Sequence, residues 1–466
     1  MKLWNERVDL DSSDFLITKD RNYTFHEIFT DSDRIFSETS REIVLILCDK
    51  NIETIKSYIG ALRNNLVPLL IESETKQDSL LNILLAYKPK YVVLPLDIEI
   101  EKIYKTSDQY STFDSYAMYE FQEKSKDIHP NLGLLLLTSG STGDPKSVRI
   151  SKKNIDIATE NITKYLKLDE TRTSLSLLPF HYSYGLSVLN NAIYTRSSLH
   201  LTKKTVLDKT LWDDCIQFNI TDISAVPFIL EILMRLKLPD LLYKNLRCLT
   251  QAGGRLEPKI TEYFLNISKQ KSFDYFTMYG QTEAAPRISY VPPKDGIIKL
   301  GSVGRPLDCG EVFIDTIGNK KGEGELVYVG ENVCLGYATT EKDLSKDDEL
   351  HGVLNTGDIA LIDDDGFISI VGRKKRFIKL KGISVNLDYI ESQINASSIK
   401  CLLIGKDDRL IIVLEKNAKC IYTEDIKNII KNNFNFHLSL VSIVEDELSK
   451  LSSGKPDYKK LMDKFL

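Results

Sequence analysis

The sequence predicts an α/β protein with a large N-terminal domain, a β-rich subdomain and a small C-terminal domain. Ile43-Val44-Leu45-Ile46-Leu47 has the pattern of a buried strand, and Asn51 to Leu62 has the apolar spacing of an amphipathic helix. From about residue 300, glycines punctuate short β-like runs. After the basic stretch Arg373 to Arg376, an α/β-like tail continues to Leu466.

The strand and helix pattern recurs along the N-terminal half. Short apolar runs at Pro68 to Ile71 and Lys90 to Leu94 alternate with stretches of helical period. Repeated pairs of this kind are typical of a largely parallel sheet with helices on its faces. The glycine-rich part instead predicts turns between antiparallel strands. We place the domain boundary after Gly372, so the expected domains are 1–372 and 373–466.

Composition excludes several classes of protein. A chain of 466 residues with 42% hydrophobic and 27% charged residues is ordinary for a globular protein of two or three domains. Its net charge of −5 lacks the basic excess that nucleic-acid binding requires. No run of 18 or more apolar residues predicts a membrane span, and the N-terminus has no signal-peptide core.

The cysteines indicate neither a disulfide framework nor a zinc site. The seven cysteines are scattered and form no C-x-x-C pair. Each is expected to be a small buried hydrophobic residue, and the expected compartment is the cytoplasm.

The clearest candidate for phosphate binding is the loop Thr138-Ser139-Gly140-Ser141-Thr142-Gly143-Asp144-Pro145-Lys146, which follows an apolar strand-like run. Glycines let the backbone approach a phosphate, hydroxyl and N–H groups donate to its oxygens, and the lysine adds positive charge. The spacing is not that of a Walker loop. Taken alone, the segment is also compatible with a plain Ser/Gly turn.

Four further segments carry possible chemistry. In Tyr279-Gly280-Gln281-Thr282-Glu283, the carboxylate suits Mg²⁺ and the aromatic ring offers a flat face for a base. In Thr356-Gly357-Asp358, the carboxylate could accept from ribose hydroxyls, or be a β-turn aspartate. The other two are the basic segment Gly372 to Gly382, also compatible with a solvated linker, and Gly454-Lys455.

The order and spacing of these five segments resemble the adenylate-forming (AMP-binding) superfamily of acyl-CoA synthetases, carrier-protein-charging adenylation domains and luciferases. Asn22-Tyr23-Thr24-Phe25 and Gly324-Glu325-Leu326, continuing to Gly336-Tyr337, resemble further blocks of that family. The resemblance implies a mobile C-terminal domain and two half-reactions. A carboxylate attacks the α-phosphate of ATP to give an acyl-adenylate and pyrophosphate, and a thiol then displaces AMP.

The resemblance also implies roles for residues. The β- and γ-phosphates would be held by Thr138, Ser139, Gly140, Ser141, Thr142, Gly143 and Lys146. Thr282 would contact the α-phosphate and Glu283 would bind Mg²⁺. Adenine would be framed by Gly253, Gly254, Tyr279 and Gly280, and ribose would be bound by Asp358 with help from Arg373. Lys455 would serve adenylation. Lys379 would serve thioester formation after rotation about a hinge at Lys375.

Two departures from the family pattern stand out. Ser147 occupies the place of a usual glycine after Pro-Lys, which matters only if that position needs a positive φ. The usual proline before Lys455 is missing. Neither departure removes a charged catalytic group.

The substrate is expected to be an acyl or aryl acid. The segment Leu178 to Gly185 resembles a Pro-x-Phe-His block of acyl- and aryl-CoA synthetases, with His181 lining the site. The aspartate that amino-acid-activating relatives use to pair the substrate ammonium is not evident. The expected pocket floor is small or apolar and comprises Ser224 to Phe228, Ala252 to Gly254, and Ala284-Ala285. Arg287 either faces the substrate, which would allow a second carboxylate, or lies at the surface.

The thiol acceptor and two alternatives stay open. Coenzyme A is expected, and an acyl- or aminoacyl-carrier-protein ligase that loads a phosphopantetheine thiol is the alternative; Lys374-Lys375-Arg376 could steer either acceptor. A non-catalytic nucleotide-binding protein of the same fold would have lost Lys455, Glu283 or Asp358, and all three are present. A luciferase-type oxygenase would carry the same motifs, but no feature favours it.

Overall fold

The computed structural model describes residues 11–36, 39–100, 107–121, 127–138, 145–236, 240–316, 322–381, 383–434, 436–450 and 456–466. The chain divides into two compact units. The first comprises Met1–Leu300, Gly304–Glu311 and Val329–Leu354, and the second comprises Gly301–Val303, Val312–Tyr328 and Asn355–Leu466. The expected domain boundary at 372 and 373 lies inside the second unit, so this division does not test it.

The strands, numbered in chain order, are β1 Asp14–Ile17, β2 Asn22–Thr24, β3 Ile43–Cys48, β4 Val67–Glu72, β5 Tyr91–Pro95, β6 Ser107–Phe113, β7 Tyr116–Phe121, β8 Leu132–Leu137, β9 Ser147–Ser151, β10 Thr173–Leu175, β11 Ser198–His200, β12 Asp222–Ala225, β13 Cys248–Gln251, β14 Asp274–Tyr279, β15 Ser289–Val291, β16 Arg305–Pro306, β17 Gly310–Thr316, β18 Gly324–Gly330, β19 Gly336–Ala338, β20 Val353–Ile362, β21 Ile368–Arg373, β22 Phe377–Leu380, β23 Ile383–Asn386, β24 Cys401–Lys406, β25 Arg409–Leu414 and β26 Val441–Glu445.

The α-helices are α1 Phe25–Ile35, α2 Ile52–Arg63, α3 Gln77–Tyr87, α4 Lys152–Leu166, α5 Ser183–Thr195, α6 Lys209–Gln217, α7 Pro227–Leu236, α8 Asp240–Asn245, α9 Pro258–Lys271, α10 Leu387–Ala396, α11 Lys419–Asn433 and α12 Tyr458–Phe465. Side-chain caps fix several of their starts. Thr24 accepts from the backbone N–H of Glu27 and forms a capping box with it, and Ser151 does the same with Asn154.

Two mixed sheets form the first unit. One has the order β16-β15-β14-β13-β12-β10-β11-β1-β2, and its central strands are parallel. The other has the order β19-β9-β8-β4-β3-β5-β7-β6. Every residue of β3 is buried, as expected for a parallel strand that is covered on both faces. The predicted α/β class and the predicted strands near residues 43, 68 and 90 are therefore confirmed.

Helices cover both faces of these two sheets. A large apolar cluster between the sheets joins side chains of α1, α2 and α5 to side chains of both sheets. A second cluster packs α3 against the outer face of the β3 sheet, and a third packs α6 to α9 against the outer face of the β12 sheet. The first unit thus consists of five alternating layers of helix and sheet.

The second unit contains most of an antiparallel sheet with the order β17-β18-β20-β21. It also contains the β22-β23 hairpin and the β24-β25-β26 sheet. Helices α10 and α11 pack on one face of β24 and β25, and α12 packs on the other. The predicted glycine-rich β region and the α/β tail are both present.

Two expectations about cysteines and membranes can be compared with the structure. Five cysteines are buried as expected, but Cys309 is half-buried and Cys420 is exposed, so the expectation is wrong for these two. Cys420 lies at the start of α11, more than one turn before the buried residues Ile426 and Ile430 of that helix. None of the helices in the described residues is long and apolar enough to cross a membrane.

Candidate active site

Several predicted site residues of the first unit lie at one edge of a sheet. Strands β14, β13, β12 and β10 are consecutive parallel neighbours. The turns after them carry, in that order, Gly280 to Glu283, Ala252 to Gly254, Val226-Pro227, and the segment with His181. Because carboxyl ends of parallel strands form the usual ligand edge of an open α/β sheet, this edge is the candidate site.

Two of the predicted glycines are required by their surroundings. Gly253 has a φ of +89°, and a Cβ there would lie 2.5 Å from the hydroxyl oxygen of Tyr182. A Cβ on Gly280 would lie 2.0 Å from the carbonyl oxygen of Pro286. Both positions therefore depend on the absence of a side chain.

Three side chains of the first unit, here called the Glu283 cluster, link two predicted motifs. The phenol of Tyr337 donates to Glu283 Oε1 at 3.0 Å. The ammonium of Lys146 lies 3.5 Å from the centroid of the Tyr337 ring. Lys146 and Glu283, which are far apart in sequence, thus both contact Tyr337. Burial, together with the charge of Glu283, raises the pKa of Tyr337.

The backbone around Glu283 is held by a residue that the sequence did not identify. Asn332 is fully buried, and its amide donates to the carbonyl oxygens of Ala284 at 2.6 Å and of Arg287 at 2.8 Å. The N–H of Cys334 donates to the carbonyl of Glu283 at 2.8 Å. The segment that carries Thr282 and Glu283 is consequently fixed to the strand region before β19.

Sequence reasoning also missed two other contacts. Thr282 Oγ1 lies 3.1 Å from Ser183 Oγ, the first residue of α5. Tyr337 lies in the quoted Gly336-Tyr337 block, but nothing in the sequence showed that it contacts Lys146. These contacts join positions far apart in the chain, so no local pattern signals them.

The phosphate-loop candidate is described only at its ends. The N–H of Thr138 donates to the carbonyl of Lys146 at 2.9 Å and closes the loop. Ser139, Gly140, Ser141, Thr142 and Gly143 lie outside the described residues. Ser147 does not have a positive φ; it begins β9, and its N–H donates to the hydroxyl of Tyr87 at 3.1 Å. The departure from glycine at Ser147 therefore causes no backbone strain.

His181 is kept uncharged by burial. Its Nδ1 is buried and has no hydrogen-bond partner among the described residues. Burial lowers the pKa of the imidazole to about 4, since the charged form loses its hydration. His181 is therefore neutral at pH 7 and can offer a polar atom to a ligand.

A second group beside this edge, the Arg287 cluster, consists of Tyr165, Tyr182, Tyr184 and Arg287. Arg287 is 2% exposed, and its guanidinium carbon lies 5.0 Å from the Tyr184 ring centroid. The Tyr184 hydroxyl is 2.6 Å from Thr250 Oγ1. Burial raises the pKa of Tyr182 to about 12, so this phenol stays neutral. The three tyrosines pack with Val226 and Ala252 of the expected pocket floor.

The remaining predicted residues lie in the second unit. Asp358 is 2% exposed, and its carboxylate lies 3.2 Å from Arg373 Nε. The two residues are partners in the β20–β21 register, which explains their contact. Lys379 is an exposed residue of β22. Lys455 lies outside the described residues.

The basic stretch is not uniformly solvated. Arg373, Lys374 and Lys375 are exposed, but Arg376 forms ion pairs with Asp388 and Glu391 and lies 4.0 Å from the Tyr458 ring centroid. Arg376 is therefore a packing residue of the second unit and is not available to steer an acceptor.

Metal binding at the candidate site would depend on one carboxylate. In the described ranges, no group of three or more His, Cys, Asp or Glu side chains could hold a metal ion. A lone carboxylate such as Glu283 fits Mg²⁺, which commonly takes one or two protein carboxylates and completes its shell with substrate phosphates and water.

Comparisons with known proteins identify the family of this chain. The family model described as AMP-binding enzyme matches residues 14–338. An oxalate–CoA ligase of Saccharomyces cerevisiae is 26% identical over 388 residues, covering 77% of this chain and 70% of the relative. A 2-succinylbenzoate–CoA ligase of Listeria innocua is 26% identical over 367 residues, covering 74% of this chain and 75% of the relative.

A solved structure has the same fold. The O-succinylbenzoate coenzyme A synthetase (MenE) of Bacillus subtilis in complex with AMP superimposes with a TM-score of 0.78 at 21% identity, covering 98% of this chain and 96% of that one. The same enzyme in complex with ATP and magnesium ion gives a TM-score of 0.75 at 20% identity, covering 97% and 98%. At this identity the likeness establishes the fold, while the family model establishes the relationship. The chain belongs to the AMP-binding enzyme family.

Proposed function

We propose that this chain is an ATP-dependent carboxylic acid–CoA ligase that forms an acyl-adenylate and transfers the acyl group to coenzyme A. The observation that carries the proposal is the Glu283 cluster, in which one tyrosine contacts both the phosphate-loop lysine and the candidate magnesium ligand. The relatives named as CoA ligases support the same activity.

The first half-reaction needs positioned charge and no nucleophilic side chain. A carboxylate oxygen of the substrate bonds to the α-phosphorus of ATP while the bond to pyrophosphate breaks. Lys146 and the loop from Thr138 bind the β- and γ-phosphates, and Thr282 donates to the α-phosphate. Mg²⁺, when bound at Glu283, neutralises phosphate charge. Such preorganised electrostatic stabilisation is usually the largest contribution to catalysis.

The nucleoside is proposed to bind through the flat ring of Tyr279, the Gly253-Gly254 turn, and Gly280. Asp358, whose carboxylate is buried beside Arg373, accepts from the ribose hydroxyls. We further propose that 373–466 acts as a mobile domain with its hinge at Lys375. Lys455 then serves adenylation, and Lys379 serves thioester formation.

The expected substrate is an acyl or aryl acid and is not an amino acid. The names of the two relatives specify oxalate and 2-succinylbenzoate, both of which carry two carboxylates. Coenzyme A is the proposed thiol because both relatives are named as CoA ligases. A phosphopantetheine carrier protein is the second candidate. A cytoplasmic location is part of the proposal, because ATP and coenzyme A are available there.

ATP–pyrophosphate exchange tests adenylation directly. Purified enzyme is assayed with panels of fatty, aryl, hydroxy, dicarboxylic and amino acids. Exchange that depends on one class of carboxylic acid is expected. Exchange with none of the acids would contradict the proposed function, and exchange only with amino acids would contradict the expected acid class.

Two lysine variants separate the half-reactions. Lys455→Ala is expected to lower pyrophosphate exchange, whereas Lys379→Ala should retain exchange and lower thioester formation. Lys459→Ala removes an exposed lysine close in sequence and serves as the matched control. Exchange at the wild-type rate in the Lys455 variant would refute its role.

A comparison of thiols identifies the acceptor. Acyl transfer is measured with coenzyme A and, separately, with a phosphopantetheinylated carrier protein, using the acid found by exchange. Acyl-CoA formation is expected. Transfer to the carrier alone would replace coenzyme A in the proposal.

A further inference from the structure

Arg287 is an unusual feature of the first unit because it is a buried cation without a counter-charge. Its side chain is 2% exposed, and Nε has no hydrogen-bond partner among the described residues. No aspartate or glutamate within the described residues forms an ion pair with its guanidinium. Burying an unpaired charge is costly, and proteins normally provide a partner.

The surroundings of Arg287 are neutral. Its guanidinium lies near the face of Tyr184, 5.0 Å from the ring centroid. Burial raises the pKa values of Tyr165 and Tyr184, so these phenols do not supply negative charge at neutral pH. A cation–π contact offsets only part of the lost hydration.

The fold holds this arginine in place by its backbone. The carbonyl of Arg287 accepts from Asn332, and its N–H donates to the carbonyl of Ala284 at 3.1 Å. The following residue, Ile288, donates its N–H to the carbonyl of Tyr279 at the carboxyl end of β14. The main chain of Arg287 therefore lies at the candidate ligand edge, while its guanidinium hydrogen-bonds the neutral Tyr165 side chain and has no carboxylate counter-charge among the described residues.

The Arg287 cluster borders the expected acid pocket. Tyr182 and Tyr184 pack with Val226 and Ala252, and the hydroxyl of Tyr182 occupies the space beside Gly253. His181, with its buried and unpartnered Nδ1, directly precedes Tyr182. Arg287, through its contact with Tyr184, thus lies beside this small, largely apolar surface.

We propose that Arg287 is a specificity-determining residue that binds a second anionic group of the acid substrate, so that the preferred substrate is a dicarboxylic acid. A guanidinium binds a carboxylate through two parallel hydrogen bonds. This inference rests on the proposed function and specifies its substrate class.

The chemistry distinguishes the second carboxylate from the reacting one. The reacting carboxylate loses its charge when its oxygen bonds to the α-phosphorus and pyrophosphate leaves. An arginine bound to that group would withdraw charge from the attacking oxygen and would be left unpaired in the acyl-adenylate. A second carboxylate keeps its negative charge through both half-reactions and balances the positive charge of Arg287 in each of them.

The test compares matched acids in pyrophosphate exchange. The pairs are succinate with butyrate, phthalate with benzoate, and adipate with hexanoate, each assayed with wild type, Arg287→Lys and Arg287→Met. Lys164→Met is the control, because it removes an exposed lysine of the first unit that pairs with Asp308. Thermal unfolding shows whether each variant is folded.

We expect wild type to prefer the diacid of at least one pair by about 100-fold in kcat/KM, as a buried bidentate ion pair allows. Arg287→Met should abolish this preference by lowering the diacid value and leaving the monoacid value within about threefold. Arg287→Lys should retain part of the preference for the diacid, because lysine keeps the positive charge but lacks the planar fork of donors.

Other outcomes overturn the inference in distinguishable ways. Equal use of both members of every pair by wild type, or an equal loss for both members in Arg287→Met, would show that Arg287 does not read a second anion while leaving the proposed function intact. Absence of exchange with every acid in wild type would instead overturn the proposed function and this inference with it. If Arg287→Met does not fold, the Arg287→Lys selectivity decides: an unchanged preference for the diacid overturns the assignment.

Discussion

The Glu283 cluster and the Arg287 cluster lie beside the same sheet edge, but they differ in how their charges are satisfied. Lys146 lies on the ring of Tyr337, and Glu283 accepts from the Tyr337 hydroxyl. Arg287 has only aromatic faces and neutral groups around it in the described structure. The chain itself therefore organises the Glu283 cluster, whereas the proposed role of Arg287 requires a ligand to supply the counter-charge.

This difference has a physical consequence for binding. Preorganised groups act on developing charge without reorganisation, so the Glu283 cluster should control rate with every acid. A buried charge that awaits its partner should instead discriminate among ligands, because the wrong ligand leaves it unpaired.

The largest effect is expected for Glu283→Gln, which keeps the shape and removes the negative charge. Pyrophosphate exchange should fall by about 100- to 1000-fold with all acids, the magnitude found when one transition-state electrostatic contact is lost. Steady-state exchange at saturating MgATP measures it, and an unchanged unfolding temperature serves as the control. A fall in exchange with one acid only would show that Glu283 acts on the acid substrate and not on MgATP.

The next effect is on stability and tests whether His181 is buried and unpartnered. Its pKa is lowered to about 4 in the folded protein by burial, against about 6.5 in the unfolded chain. The unfolded chain therefore takes up a proton first as pH falls, and stability is lost between pH 6.5 and 4. At 1.36 kcal/mol per pKa unit, wild type should lose about 3 kcal/mol by pH 4 relative to His181→Gln.

Urea unfolding of wild type and His181→Gln at pH 7.5, 6, 5 and 4 provides this comparison. Stability curves that run parallel through the whole range would show that the imidazole is either solvated or paired when charged.

A smaller effect is expected at Tyr337. Tyr337→Phe keeps the ring next to Lys146 and removes the hydrogen bond to Glu283. Because a hydrogen bond to a charged group contributes about 1.5 kcal/mol or more, the KM for MgATP should rise about tenfold. Tyr337→Leu also removes the cation–π contact and should raise it a further few fold. Equal KM values for wild type and both variants would show that Tyr337 does not connect the two motifs.

The smallest effect is expected for Ser183→Ala, which removes the 3.1 Å contact with Thr282 Oγ1. A neutral hydrogen bond contributes about 1 kcal/mol, so exchange should slow about three- to fivefold. Ser187→Ala, on the same helix and bonded only to the carbonyl of Tyr184, is the matched control. Equal rates in the two variants would mean that Ser183 does not orient Thr282.

Much of the fold follows from local pattern. The continuous apolar run that begins at Ile43 predicts a buried strand, because strands that are covered on both faces carry apolar residues throughout. The observed β3 extends one residue beyond this run. The predicted motif positions Gly253, Gly280 and Glu283 lie at one edge of the sheet because strands β12 to β14 are parallel and adjacent. These positions were expected from the family resemblance, and the carboxyl ends of parallel strands explain why they share one edge.

The rest depends on contacts that no local pattern carries. Tyr337 approaches Lys146 only because β19 pairs with β9. Asn332 fixes Arg287 through a buried amide that resembles any other asparagine in sequence. For Arg287 itself, exposure and burial were equally compatible with its sequence context, and the difference arises from the tyrosines that surround it in the fold.

Direct binding of two inert acyl-adenylate analogues tests the central comparison. The sulfamoyl adenosines of the diacid and the monoacid from the pair with the largest exchange preference are titrated calorimetrically with wild type, Glu283→Gln and Arg287→Met. Wild type should bind the diacid analogue more tightly, Arg287→Met should bind both alike, and Glu283→Gln should match wild type because neither analogue carries β- or γ-phosphates. Equal affinities of both analogues for wild type, or loss of the diacid preference in Glu283→Gln but not in Arg287→Met, would contradict the assignment of Arg287.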